Sequence, residues 1–340
     1  MKILYGVQAT GQGHISRARA MALALQRHPE IDVTWLFSGR PKHQLFDMEP
    51  FADFEHRLGL TFVTEAGRLR YRKTVMRNHY WQFIEDVRRL DLAAYDLIVT
   101  DYEPVTAWAG RWRGRAVLGI GHQYAFGQRT PTEGRSLAQH AVMSWFAPVT
   151  QRVGLHWSDF DDNILPPILD LPARPPESNE THVLVYLPFE DQAAVTSWLR
   201  SFPNHQFVQY ASTLPNDDLG NVRRRTANIA GFKSDLASCR GVICNCGFEL
   251  ISECLHWQKP VLTRPLAKQM EQLSNGAALE ALGYATVMRH IDNELTRQWL
   301  SNPPSAPAIQ FPDVSRHLAS WLADGAVAPV GDLSRALWPH

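Results

Sequence analysis

Strand-like apolar runs alternate with helix-like amphipathic runs along nearly the whole chain, and the alternation stops once and then restarts. In the first half KILYGV precedes ISRARAMALALQRH, then comes DVTWLF, and later DLIVT (96–100) and AVLGIG (116–121), with helical stretches near 78–92 and 104–112. The short runs are apolar throughout and rich in β-branched residues, the pattern of strands covered on both faces. Such strands belong to a parallel sheet flanked by helices. The break is LPPILDLPARPPESNE (165–180), whose five prolines in sixteen residues can continue neither a helix nor a central strand. We read it as an interdomain linker. Beyond it HVLVYLP, HQFVQY, GVICN, PVLTRP and YATVM read as strands, NIAGF as the end of another, and EDQAAVTSWLRSF, GFELISECLHW and MEQLSNGAALEALG as helices. The expectation is an α/β protein with two doubly wound domains, 1–164 and 181–312, and a C-terminal helix and tail, 313–340, free to pack back on the first domain. A length of 340 residues suits two domains.

Charge and apolar content narrow the function classes. Lysine plus arginine equals aspartate plus glutamate, 34 each, so no global basic charge points to nucleic acid. No apolar run approaches the roughly 18 residues of a membrane helix. The chain enters MKILYGV without a leader-like segment. A cytoplasmic location is expected, with at most peripheral contact at the inner face of the membrane. Cys239, Cys244, Cys246 and Cys254 fall within sixteen residues, but a C-x-C pair lacks the second ligand element of a zinc site. They read as small buried residues.

In doubly wound sheets ligands bind at the carboxyl ends of the strands, so the loops after strands carry the chemistry. The first is Gly11-Gln12-Gly13-His14-Ile15-Ser16, a partial dinucleotide fingerprint with serine at the third small position. The acidic residue expected after the second strand is replaced by Phe37-Ser38-Gly39-Arg40, which would suit an NADP phosphate and keeps an NADP-dependent reductase as an alternative. No lysine follows Gly13, which excludes a Walker loop. His14 sits in the first turn of the following helix, where the dipole disfavours a cation, and so is a general-base candidate. Otherwise it is a plain solvated histidine. Asp101 ends DLIVT; it can hold the other imidazole nitrogen of His14, or cap the helix that begins at Pro104. In CNCGFELISE (244–253), Gly247 opens a helix whose free N–H groups form an anion site. Glu253 lies six residues on, within reach of a ribose. RPLAKQMEQLSN (264–275) offers Glu271, Gln272 and Asn275, groups suited to sugar hydroxyls.

Two of these segments resemble a known family in order and spacing. Asn245-Cys246-Gly247-Phe248-Glu249-Leu250-Ile251-Ser252-Glu253, then Pro265, then Glu271-Gln272-Leu273-Ser274-Asn275, resembles the donor site of GT-B glycosyltransferases, both MurG-like (family 28) and UDP-glycosyltransferases (family 1). The plant members read HCGWNSxxE and then D/E-Q-x-x-N-A. The opening G-x-G-H is similar to the family's N-terminal loop, so the likeness spans both domains. It implies a GT-B fold, two Rossmann-like domains facing across a cleft. It also implies inverting, metal-independent transfer of a sugar from a UDP-sugar to an acceptor hydroxyl, with no other cofactor. His14 would be the base and Asp101 its partner. The diphosphate would meet Gly247, with Gly13, Asn245, Phe248 and Glu249 around the donor. Phe232 would flank the base through its backbone, Glu253 would bind the ribose, and Glu271 and Gln272 the sugar. Gly11, His122 and Gln123 would face the acceptor, His122 being a second-choice base. The chain departs from the plant pattern at Asn245, Glu249 and Leu250, which replace His, Asn and Ser. Asp159-Phe160-Asp161 spells the metal-binding D-x-D but precedes the linker, so it is set aside.

The acceptor is left as a small molecule, lipid or glycan. RLRYRKTVMR (68–77) carries five basic and no acidic residues, and Arg111, Arg113, Arg115 and Arg129 follow in the same half. These can meet an anionic headgroup or phosphorylated carrier, or form a solvated face. Tyr80 and Trp81 can stack on a sugar or belong to the core. A nucleotide-sugar epimerase, with Glu103 and Glu190 as carboxylates, and a non-catalytic sugar-nucleotide binding protein remain further alternatives.

Overall fold

The computed structural model describes residues 1–65, 68–127, 129–134, 137–161, 163–171 and 182–338. The linker expected at 165–180 therefore lies largely, from 172 on, outside the described residues. The first half contains β1 (Lys2–Gln8), β2 (Asp32–Ser38), β3 (Glu55–His56), β4 (Thr64–Glu65), β5 (Arg68–Leu69), β6 (Leu97–Asp101), β7 (Leu118–Gly121), β8 (Gln151–Leu155) and β9 (Ile164–Leu165). β4 and β5 form a separate antiparallel ribbon. The others make one parallel sheet in the order β3-β2-β1-β6-β7-β8-β9. The second half contains β10 (Val183–Tyr186), β11 (Phe207–Ala211), β12 (Asp217–Leu219), β13 (Val222–Thr226), β14 (Gly241–Asn245), β15 (Val261–Arg264) and β16 (Thr286–Val287). Their order is β12-β13-β11-β10-β14-β15-β16, parallel except for the edge strand β12.

Each sheet reverses its strand order once, between β1 and β6 and between β10 and β14. Loops leaving adjacent strands there diverge to opposite faces and open a crevice. The two crevices face each other, and the helix Gln12–Leu25 of the first half touches the helix Phe248–His256 of the second. One apolar core runs through both, from Ile3, Val7 and Met21 to Phe248, Ile251 and Leu255. The helix Val314–Ala323 packs on the helix Gln12–Leu25, and the helix Val330–Leu337 lies against β9, where Ser334 Oγ and Trp338 Nε1 donate to Ile164 O, each at 2.8 Å.

One element differs from its reading in the sequence. NIAGF does not end a strand: β13 stops at Thr226, and Asn228 caps the helix Ile229–Ser238, its side chain accepting from Gly231 N at 2.7 Å. An asparagine three residues before a glycine N–H is an N-cap arrangement, and it outweighs the apolar character of the run. The four cysteines are buried and free, and burial pushes the Cys239 thiol up to about 11. Among the described residues no helix is long and apolar enough to cross a membrane.

Gly154 in β8 shows how closely the strands set the cleft loops. A Cβ there would meet the backbone of Ala125, in the turn that follows β7, at 2.7 Å. Gly154→Ala must displace that turn, so it should cost about 1–3 kcal/mol in urea unfolding. An unchanged midpoint would show that the turn yields freely.

Candidate active site

A cleft of about 730 Å³ lies between the halves, lined from both sides by the loops after strands. Every residue that the resemblance places at the site lines it except Asp101, which sits directly behind His14; Asn275, Glu103, Glu190, Tyr80 and Trp81 do not line it. His14 Nδ1 is 2.8 Å from Asp101 Oδ1. Asp101 is not the helix cap: Glu103 is, accepting from Val105 N and Thr106 N at 2.7 and 2.6 Å and from Ser38 Oγ at 2.6 Å. Tyr102 between them has φ of +54°, a left-handed turn unusual for a tyrosine. Its ring stacks on Phe146 and its hydroxyl donates to Met143 O, contacts that hold the turn. With Glu103 satisfied as a buried cap, no free carboxylate remains there for acid–base chemistry.

The decisive residue in this corner, Arg17, was not singled out in the sequence. One turn after His14 and on the same helix face, its side chain is 2% exposed. Nε and Nη2 donate to the two oxygens of Asp101 at 2.9 and 2.6 Å. Nη1 donates to Glu249, from the other half. Arg17 Nη2 also lies 3.0 Å from His14 Nδ1. A guanidinium only donates, so Nδ1 can accept from it or donate to Asp101, not both. Asp101 is the nearer acceptor for each, which places the proton on Nδ1 and the lone pair of His14 on Nε2. Burial pushes the Asp101 carboxyl up, but the charge of Arg17 and the hydrogen bonds from Arg17 and His14 outweigh it and hold it below the ordinary carboxylate range.

Across the cleft, Gly247 starts the helix Phe248–His256 without a side-chain cap, and a Cβ on Gly247 would meet nothing within 4 Å. That leaves exposed N–H groups and open space at a positive helix end. Glu253 is buried on the same helix and paired with Lys233; burial pushes its carboxyl up while Lys233 opposes the shift. Phe232 lies in the first turn of the helix Ile229–Ser238, edge-on to Tyr186 and Tyr210 at 5.3 Å. Tyr186, Phe189 and Phe232 line this side of the cleft as an aromatic wall. Asn245 Nδ2 donates to Arg264 O at 3.1 Å, while its buried Oδ1 has no partner. Arg264 pairs with Glu190, so that carboxylate is also engaged.

Three candidates have other work than the sequence suggested. His122 is 1% exposed and stacked on Phe248 with centroids 3.9 Å apart. Its Nδ1 donates to Leu155 O at 2.8 Å, and its Nε2 lies 2.7 Å from Asn275 Oδ1. Both nitrogens are occupied, one by Leu155 of its own half and one by Asn275 of the other, so His122 is available neither as a base nor to an acceptor. Gln272 uses Oε1 to accept from Leu266 N at 3.0 Å, which shapes the loop after β15. Gln123 Nε2 donates to Glu271 Oε2 at 3.2 Å across the cleft, so both face it as a pair. Gly11 is the N-cap and Gly13 sits in the first turn of the helix Gln12–Leu25, where a Cβ would meet the Glu249 side chain, at Cγ, at 2.7 Å. Asp159 and Asp161 do not line the cleft. Among the described residues no cluster of His, Cys, Asp and Glu suits a metal ion.

Two facing Rossmann-like domains with the site between them define a GT-B protein. Solved structures agree in fold: MurG of Acinetobacter baumannii (14% identity, 99% of each chain, TM-score 0.55), the calicheamicin glycosyltransferase CalG4 (15%, 96% of this chain and 99% of that one, 0.57) and a UDP-N-acetylglucosamine 2-epimerase (14%, 96% of each, 0.57). A search of curated proteins finds no match. The family described as Glycosyl transferase family 1 matches residues 1–304, and the chain belongs to it. It is a glycosyltransferase, an enzyme that moves a sugar from a donor to an acceptor.

The state of Asp101 can be read from stability. A carboxylate with a depressed folded pKa stabilises the fold above its unfolded value of about 3.9, and that contribution is lost as pH falls through the lower folded value. The difference in unfolding free energy between wild type and Asp101→Asn should be flat above about pH 5 and shrink below about pH 4. A difference independent of pH would mean that Asp101 is not held as a carboxylate.

Proposed function

We propose that the protein is an inverting, metal-independent glycosyltransferase that moves a sugar from a UDP-sugar to an acceptor hydroxyl, with His14 as general base. The observation that carries this reading is the opposition of two features across one cleft. On one side is an imidazole whose Nδ1–H is fixed on Asp101. On the other is an uncapped helix N-terminus with open space at Gly247. The acceptor hydroxyl gives its proton to His14 Nε2 as its oxygen attacks the anomeric carbon from the face opposite the leaving diphosphate. Asp101 stabilises the imidazolium that forms. Charge growing on the diphosphate is met by the helix N–H groups. Glu253 would take the ribose, the Tyr186–Phe232 wall the base, and Glu271 the donor sugar.

The acceptor reading follows from the rim. Arg77 and His79 line the cleft mouth, next to Met76 and Trp81, each 86% exposed, and to exposed Arg70, Arg72 and Lys73. Basic and large apolar side chains at one entrance suit an acceptor presented at an anionic lipid surface.

His14→Ala should abolish transfer while UDP affinity, by calorimetry, changes less than about threefold. Loss of UDP binding would instead make His14 a donor ligand. Sedimentation with phosphatidylglycerol vesicles should fall for Met76→Ser/Trp81→Ser and with added salt. Equal sedimentation of wild type and variant would remove the membrane-presented acceptor.

A further inference from the structure

Glu249 stands where a helix N-terminus invites an anion, and it does not cap its own helix. Its side chain leaves the first turn of the helix Phe248–His256 and crosses the cleft. Its Cγ lies against Gly13, and its carboxylate ends on Arg17 Nη1. A negative group thus fills the gap between the opening loop, the uncapped helix end and a buried guanidinium.

Arg17 holds its two carboxylates unequally. Asp101 is gripped by Nε and Nη2, one to each oxygen, and is 1% exposed. Glu249 takes Nη1 alone and is 16% exposed. A fork keeps a bidentate partner in preference to a single-contact one, so Glu249 is the exchangeable member. The partial exposure of Glu249 and its long side chain let it swing away from Arg17.

We propose that Arg17 is a phosphate-binding residue for the donor, supplied by the acceptor domain, and that Glu249 is a stand-in for the phosphate in the empty cleft. This deepens the donor-site reading above and rests on it. On donor binding a phosphate oxygen replaces the Glu249 carboxylate on Nη1, while Nε and Nη2 stay on Asp101. No bond is made or broken covalently. One guanidinium then touches both the leaving group and the carboxylate that positions His14, so the base is aligned by the same cation that marks the donor's arrival. Glu249 sets a threshold: a ligand without a diphosphate cannot displace it, and the displaced carboxylate repels the diphosphate that took its place.

The test compares wild type and Glu249→Gln by calorimetry with UDP, GDP, ADP and dTDP, and with the parent nucleosides. Removing the competing charge should tighten binding of the preferred diphosphate about tenfold and leave its nucleoside unchanged. In a crystal of the wild type with that diphosphate, Glu249 should stand more than about 4 Å from Arg17, and a phosphate oxygen should lie within about 3.2 Å of Nη1. Diphosphate binding that is equal or weaker in Glu249→Gln, or an intact Arg17–Glu249 pair in the crystal, overturns the inference while leaving the donor site standing. If no diphosphate binds either protein, the donor-site reading itself falls. Arg17→Lys gives an independent check: it should weaken the diphosphate and not the nucleoside, whereas a purely structural role would lower both together with the melting temperature.

Discussion

A single buried guanidinium ties the parts of this molecule together. Arg17 neutralises Asp101 in a place from which water is excluded, and without it that carboxylate would be unpaired at several kcal/mol of cost. The pairing decides more than charge. It keeps Asp101 ionised, which keeps the proton of His14 on Nδ1 and the lone pair on Nε2. It also sends the third guanidinium nitrogen to the other domain through Glu249. Local electrostatics, the orientation of the His14 imidazole and the approach of the two halves are thus one arrangement.

The fold makes this arrangement possible by repeating a topology. Each sheet reverses its order beside its first strand, so each presents a crevice at the same edge. The two crevices are put to different uses. The first, after β1 and β6, holds the linked side chains of His14, Arg17 and Asp101. The second, after β10 and β14, holds backbone N–H groups and an aromatic wall that suit a nucleotide. Contacts between the halves are polar and specific as well as apolar: Trp157 Nε1 donates to Ser252 Oγ at 2.8 Å, and His122 meets Asn275. The returning C-terminal helices add a second tie, one packing on the first helix of the chain and the other against β9.

The alternation of strands and helices was legible because parallel strands buried on both faces carry an uninterrupted apolar signature. The loops followed from it, and with them His14 and Gly247, each marked by its place just after a strand, and Glu253 by its spacing from Gly247. What escaped was whatever depends on a partner far along the chain. Arg17 and Arg19 look like the polar face of a helix, yet both are buried, against Asp101 and against Asp170, 84 and 151 residues away. The one available signal was spacing: three residues after His14 places Arg17 on the face that carries the histidine. His122 failed in the opposite sense. It follows a strand as a site residue should, but its neighbours in space, Leu155, Phe248 and Asn275, come from three other segments. NIAGF misled because an N-cap asparagine outweighs an apolar run only once the helix it starts is known.

Glu249 is the instructive departure from the family pattern. In the sequence it is an acidic residue where a neutral hydrogen-bonding side chain is expected, and that alone would weaken a phosphate site. In the fold the same carboxylate is matched by a buried arginine on the opposite domain, and Gly13 opposite it has no side chain to obstruct it. The two unusual residues explain each other. A carboxylate at an uncapped helix end facing a cleft is stabilised by a cation, and a cation buried beside Asp101 with a third nitrogen to satisfy is stabilised by an anion from across the cleft. The departure from the family pattern therefore goes with a charge pair that joins the two domains.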